Sequence, residues 1–257
     1  MKETTARVRV FADRDEAARA AAEELVSTVA SATPEKPQRI LLSGGTTPEA
    51  MYRVLASEPM RSRIDWTSIE CYIGDERPVP PDHPESNYGL ACRALLEPLG
   101  LLAPRTYRIR GEASDLELAA RRYEALIRAR FAATPPADPA FDLVYLGLGE
   151  DGHTASLFPG VNIPDDPPRL VVAVWIEALQ GMRATVTHRL LNAARRIVFL
   201  AAGEEKATAV QRTLAPNGNE EPTPAARVSP AHGEAIWLLD RGAASRLPRG
   251  ALERERG

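Results

Sequence analysis

The feature that most restricts the fold is an alternation of short aliphatic or β-branched runs with longer stretches of helical period. The runs at 8–11 (VRVF), 39–43 (RILLS), 69–73 (IECYI), 106–109 (TYRI), 141–146 (FDLVYL), 170–175 (LVVAVW), 196–202 (RIVFLAA) and 235–239 (AIWLL) are expected to be strands. Helices are expected near 13–30, 48–57, 86–97, 114–132, 188–195 and 203–214. A strand that is apolar on both faces has no side to give to water, and parallel strands need crossover connections of the kind helices supply. The pattern predicts an α/β fold: a doubly wound, mainly parallel sheet with helices on both faces, Rossmann-like in plan. Residues 1–247 are expected to form one domain without internal repeats, and 248–257 a polar C-terminal tail. Proline-rich stretches at 134–139, 164–168 and 216–224 are expected to be surface loops.

Composition narrows the classes of function. With 44% hydrophobic residues over 257 positions, the chain has enough apolar surface for a sizeable core. Net charge is −3 with the two signs interspersed, which leaves no global footprint for nucleic acid or an anionic membrane. Anion binding must therefore be local. No run approaches the roughly 18 apolar residues of a membrane span, and the N-terminus lacks an apolar signal core, so a cytoplasmic location is expected. The two cysteines, Cys71 and Cys92, fall in an expected strand and helix and are expected to be reduced core thiols.

In an open parallel sheet, ligands bind beyond the carboxyl ends of the strands, so the residues just after each run carry the functional signal. After RILLS comes GGTTPEA. Gly44 and Gly45 permit a tight turn, Thr47 is placed to cap, and Pro48 suits the first helical position. This is either a well-capped helix or a helix N-terminus that binds an anion with its N–H groups and the hydroxyls of Thr46 and Thr47. After IECYI, the triplet Asp75, Glu76, Arg77 is a solvated turn or a site whose arginine meets an oxyanion. After FDLVYL, Gly147, Gly149 and Gly152 spell a literal G-x-G-x-x-G. A dinucleotide site needs a full helix next, and Pro159 and Gly160 stop any helix within about two turns, which weakens that reading without closing it; titration with NAD(P)H tests it. There remains Asp151-Gly152-His153, where His153 is a structural histidine or a general base. His83, His188 and His232 are taken as surface or structural residues.

Five collinear segments resemble the 6-phosphogluconolactonase family, within the wider group that includes glucosamine-6-phosphate deaminases. They are LLSGGTTPEAMY, YIGDERPVPPDHPESNYG, FDLVYLGLGEDGHTASLFPG, LLNAARRIVFLAAGEEKA and PAARVSPAHGEAIWLLD, and the similarity runs from about residue 8 to 245. The resemblance implies a fold of the NagB/RpiA/CoA transferase-like type. It also implies hydrolysis of 6-phospho-D-glucono-1,5-lactone to 6-phosphogluconate, a step of the oxidative pentose phosphate pathway. Deaminases of the group carry Asp-Glu-Tyr where this chain has Asp75-Glu76-Arg77, and a different run where it has Thr154 to Pro159. A deaminase and a non-catalytic sugar-phosphate sensor remain as alternatives.

By the same resemblance, His153 takes a proton from water, Asp151 supports the imidazolium and Arg77 stabilises charge at the carbonyl. Gly44, Gly45, Thr46, Thr47 and Lys206 hold the phosphate, and Arg183, in the frame Arg183-x-Thr185-x-Thr187, joins the binding set. No metal and no cofactor is expected, since a lactone is already an activated ester and no ligand pair of the right spacing exists. The expected partner is the small sugar phosphate alone, met by a monomer or homodimer.

Overall fold

Seven strands pair in parallel, and their order shows where the sheet reverses direction. They are β1 (Arg7–Phe11), β2 (Gln38–Leu42), β3 (Ile69–Ile73), β5 (Thr106–Tyr107), β6 (Leu143–Leu146), β9 (Arg196–Ala201) and β10 (Glu234–Asp240), in the order β1-β10-β9-β6-β2-β3-β5. From β2 the chain steps outward through β3 to β5, then returns to β6 and steps the other way through β9 to β10. The switch falls between the paired neighbours β2 and β6, which share the register Ile40↔Leu143 and Leu41↔Val144. The computed structural model describes residues 7–101, 105–132, 137–161, 163, 168–216, 218 and 220–248. The expected tail from 249 onward and parts of the proline-rich stretches lie outside these residues.

The two-residue period of a strand sends its side chains to two separate cores. Ile40, Leu42, Cys71, Ile73, Tyr145, Val198, Leu200, Ile236 and Leu238 join the core beneath α1 (Arg14–Val29) and α2 (Thr46–Leu55). Leu41, Tyr72, Val144, Leu146, Phe199, Trp237 and Leu239 join the core beneath α5 (Leu116–Arg130) and α7 (Ala207–Leu214). Each buried aliphatic side chain contributes about 1.5–3 kcal/mol of transfer free energy. In α1, Ala17, Ala18, Ala21 and Ala22 are fully buried, so the helix lies close on the sheet without displacing larger strand side chains. Its N-cap is Asp13, whose carboxylate accepts from the Glu16 N–H at 2.9 Å. Among the described residues both cysteines are buried and unpaired, and burial pushes the Cys71 thiol up to about 12.

The run expected as a further strand at 170–175 is β7 (Val171–Ile176), but it does not enter the parallel sheet. It forms an antiparallel three-stranded sheet, in the order β4-β8-β7, with β8 (Gly181–Val186) and the short β4 (Asp75–Glu76). The connection from β7 to β8 is too short for a crossover, so the pair is a hairpin. Its turn closes through Gln180, at φ 46°. Sequence patterning missed β8 because the strand begins at a glycine and carries Arg183 where an apolar residue would mark the period. The small sheet is tied to α5 by Arg169, which bonds Glu124 at 3.0 Å and Glu117 at 2.7 Å. After β4, the helical region consists of α3 (Asn87–Ala91), a π-helical turn (Cys92–Leu96) and α4 (Glu97–Leu99). The helix expected at 188–195 is the shorter α6 (His188–Asn192).

Candidate active site

Four loops meet above the carboxyl ends of the central strands, at the switch between β2 and β6. They line a cavity of about 230 Å³ that holds Gly44, Gly45, Thr46, Thr47, Asp75, Arg77, Asn87, Gly149, His153 and Lys206. Two larger clefts lie alongside, one of about 920 Å³ against β7 and one of about 650 Å³ near His188 and Thr223. Size does not select the site here; convergence of polar groups from separate strand ends does.

The loop after β2 delivers α2 with its N-terminus facing the cavity. The expected cap by Thr47 is not made: Gly45, at φ 106° and ψ 163°, is the N-cap, and no side chain bonds the first turn. Thr47 is buried inside the helix instead. A helix start with no side-chain cap leaves its first N–H groups for a ligand, and the macrodipole favours an anion there. Behind it the Tyr52 hydroxyl donates to Ser43 O at 2.6 Å and accepts from Ser43 N–H at 3.0 Å, which clamps the loop to the helix. The Ser43 hydroxyl is buried without a hydrogen-bond partner among the described residues.

The charged triplet after β3 is not a solvated turn. Asp75 and Glu76 are buried, and both pair with β8. The Glu76 carboxylate organises the loop, accepting from the N–H groups of Arg77, Asn87 and Tyr88 and from the Ser86 hydroxyl at 2.8–3.0 Å. Burial raises its pKa, against the pull of these hydrogen bonds. Arg77 is thereby held over the cavity, its guanidinium donating to the Glu85 carbonyl at 2.9 Å and to Asn87 Oδ1. Asn87 in turn donates through Nδ2 to the Asp75 carbonyl at 2.8 Å. It lies so close to Gly44 that any Cβ there would collide with its amide.

The loop after β6 presents His153. No helix follows Gly152: a tight turn spans Thr154 to Leu157, as the prolines and glycines of the sequence require. His153 Nδ1 lies 2.6 Å from Asp151 Oδ1, which also accepts the His153 N–H at 3.0 Å. A carboxylate can only accept, so Nδ1 carries the proton of the neutral ring and Nε2 keeps its lone pair. The ring stacks on Phe158, with centroids 4.0 Å apart. Gly149 is required beside it, since a Cβ there would meet the imidazole itself.

Of the residues singled out in the sequence, Gly44, Gly45, Thr46, Thr47, Arg77, His153 and Lys206 therefore come together. Asp151 reaches the site through its bond to His153. Lys206 closes the 3₁₀ turn Glu204–Lys206 after β9 and lines the cavity from that side. Arg183 does not line the cavity; it sits on β8 near Arg77. Burial first, and then the Arg77 charge, lower its pKa. His188 does not line this cavity, and its Nε2 lies 2.8 Å from the Pro224 carbonyl. Asp75 and Glu76 were singled out only as neighbours of Arg77 in the charged triplet, and Asn87 was given no place at the site. The signal for them was the segment from Gly74 to Asn87, in which three polar residues face inward from a loop whose prolines suggest only surface.

Comparisons with known proteins follow the same lines. A family model described as glucosamine-6-phosphate isomerases/6-phosphogluconolactonase matches residues 12–237. A 6-phosphogluconolactonase of Haemophilus influenzae is 37% identical over 207 residues, 80% of this chain and 86% of that protein. The solved structure of 6-phosphogluconolactonase from Trypanosoma brucei superposes with a TM-score of 0.82 at 27% identity, over 96% of this chain and all of that one. A monomeric glucosamine-6-phosphate deaminase shares the fold at 24% identity, with a TM-score of 0.78, over 93% of this chain and 99% of that one.

Proposed function

The chain belongs to the glucosamine-6-phosphate isomerase/6-phosphogluconolactonase family, and from that premise we infer that it is a 6-phosphogluconolactonase. It hydrolyses 6-phospho-D-glucono-1,5-lactone to 6-phosphogluconate. The observation that carries this assignment is a histidine whose Nε2 makes no hydrogen bond among the described residues, held by Asp151 and set in one cavity with Arg77 and the uncapped start of α2.

In the mechanism we assign, the phosphate binds at the α2 N-terminus, to the N–H groups of the Gly44–Thr47 loop, the threonine hydroxyls and the Lys206 ammonium. That anchorage places the lactone carbonyl toward His153 and Arg77. Nε2 of His153 removes a proton from water as the oxygen attacks the carbonyl carbon. The imidazolium that forms is stabilised by Asp151. Arg77, fixed by Glu85 and Asn87 before substrate arrives, stabilises the tetrahedral oxyanion without reorganisation. Collapse breaks the bond to the ring oxygen, which leaves as the C5 alkoxide and takes the proton from His153, restoring the neutral base and giving the open-chain carboxylic acid, which releases its remaining proton to solvent and becomes the carboxylate. Arg183 does not touch the substrate in this scheme and adds positive potential behind Arg77.

The deciding experiment is a paired assay of fresh 6-phosphogluconolactone and glucosamine 6-phosphate, each corrected for its uncatalysed rate. Rapid lactone hydrolysis without ammonia release from the amino sugar is expected; the reverse outcome would assign the chain to the deaminases. Phosphate anchoring is tested by Lys206→Ala. The phosphate is remote from the bond that breaks, so this change should raise KM by roughly tenfold and leave kcat within about threefold. A loss confined to kcat would place Lys206 in the chemistry.

No described helix is long and apolar enough to cross a membrane. Action in the cytoplasm is part of the proposal, because a phosphorylated substrate of this charge does not cross a bilayer unaided.

A further inference from the structure

Asp75 lines the cavity but has no part in the mechanism above. One oxygen of its carboxylate is held and the other left open, while its main-chain carbonyl is held separately. Oδ2 accepts the Ser156 hydroxyl at 2.8 Å. Ser156 is itself buried, and its N–H donates to Thr185 Oγ1 at 3.1 Å. Thr185 lies on β8 directly opposite Asp75 in the ladder. The Asp75 carbonyl accepts from Asn87 Nδ2, so the residue is tied through Asn87 to the Gly44 loop and through Ser156 to the His153 loop. Among the described residues Oδ1 accepts no hydrogen bond, and no cation pairs with the carboxylate, although the residue is only 7% exposed.

Because the residue lines the cavity, that oxygen is open to whatever donor the substrate brings. Its chemistry restricts what that can be. An ionised carboxylate is an acceptor only and repels other anions. On a phosphorylated sugar lactone the phosphate, the carbonyl and the ring oxygen are all acceptors, and the only donors are the ring hydroxyls at C2, C3 and C4. We propose that Asp75 is a specificity-determining residue whose Oδ1 accepts a hydrogen bond from one of these ring hydroxyls. This selects a polyhydroxylated ring over other phosphorylated esters and keeps the phosphate at the α2 end of the cavity. The proposal rests on the lactonase assignment.

The test compares the parent lactone with its 2-, 3- and 4-deoxy analogues, all 6-phosphorylated. Each enzymatic rate is divided by the hydroxide-catalysed rate of the same lactone, so that the inductive effect of the missing hydroxyl cancels. With the wild-type protein, one analogue should lose about 10- to 100-fold in kcat/KM, the range of a hydrogen bond to a charged acceptor. In Asp75→Ala that analogue and the parent should be turned over within about threefold of each other, because the partner is gone on both sides of the comparison. Asp75→Asn keeps the shape and a neutral acceptor and should give an intermediate penalty; it carries the comparison if the alanine variant does not fold. The role is overturned if all three analogues match the parent with the wild-type protein, or if the penalty persists unchanged in both variants. Absence of turnover of the parent by the wild-type protein would instead remove the lactonase assignment, and this role with it.

Discussion

His153→Ala is expected to reduce lactone hydrolysis by roughly 10²- to 10⁴-fold, the range general-base catalysis commands. The loss should appear in kcat, because the imidazole acts on the attacking water and its contribution grows as that water loses its proton. Stability should change little. The ring sits on a loop at the mouth of the cavity with 30% of its side chain exposed, and its main packing contact is one face of Phe158. Measurement requires fresh lactone and subtraction of spontaneous hydrolysis at each pH, with a thermal melt to establish folding. Asp151→Ala should act in the same direction but more weakly: the base remains, while nothing holds its proton on Nδ1. Turnover near that of the wild-type protein in a well-folded His153→Ala protein would remove the histidine from the chemistry.

The second large effect is on stability and lies away from the cavity. Glu124 is almost buried on α5, and its Oε2 accepts from Arg169 Nε and from the N–H groups of Leu170 and Val171, at 3.0–3.2 Å. Its Oε1 accepts from Arg128 at 3.1 and 3.2 Å. Arg169 is also largely buried, with 13% of its side chain exposed. Glu124→Ala would leave a buried guanidinium short of one partner and two backbone donors unpaired, at a cost of about 3–5 kcal/mol. For a chain of this size that lowers Tm by on the order of 10 °C in a thermal melt. A shift of a degree or less would mean that Glu117 and solvent replace the lost acceptor.

The same carboxylate has a pH signature. Burial raises the Glu124 pKa, but the hydrogen bonds from Arg169, Leu170, Val171 and Arg128 outweigh burial and leave it below its ordinary value of 4.5. A carboxyl with a lowered folded-state pKa binds more protons when unfolded, so its contribution is fully present above pH 4.5 and lost as pH falls through the lowered folded value. The stability gap between the wild-type protein and Glu124→Gln should therefore narrow on acidification below that range. A gap independent of pH would assign the effect to packing alone.

Much of this molecule was legible in the order of its residues. Runs apolar on both faces had to be central strands of a covered sheet, and IECYI is β3 over the residues expected. Gly44-Gly45 before a helix, and Asp151-Gly152-His153 after a strand, marked two loops of the cavity because special turns and short-range partners are local properties that sequence spacing records. The hairpin β7–β8 was not legible as a second sheet. Its apolar run looks like any parallel strand, and only the brevity of the connection to an irregular partner turns it back. The Thr47 cap was misplaced because the left-handed glycine before it starts the helix sooner. The inward orientation of Asp75 and Glu76 was hidden for a stronger reason. Charged residues in a proline-rich loop face water unless donors distant in sequence are brought to them. For Asp75 that donor is the Ser156 hydroxyl, far along the chain, and for Glu76 the N–H groups of Asn87 and Tyr88 reach it only because the loop folds back over itself. Local preference thus determined the strands, the helices and the two loops, whereas the burial of a charge depends on the whole set of groups that folding gathers around it, and only the tertiary structure decided that.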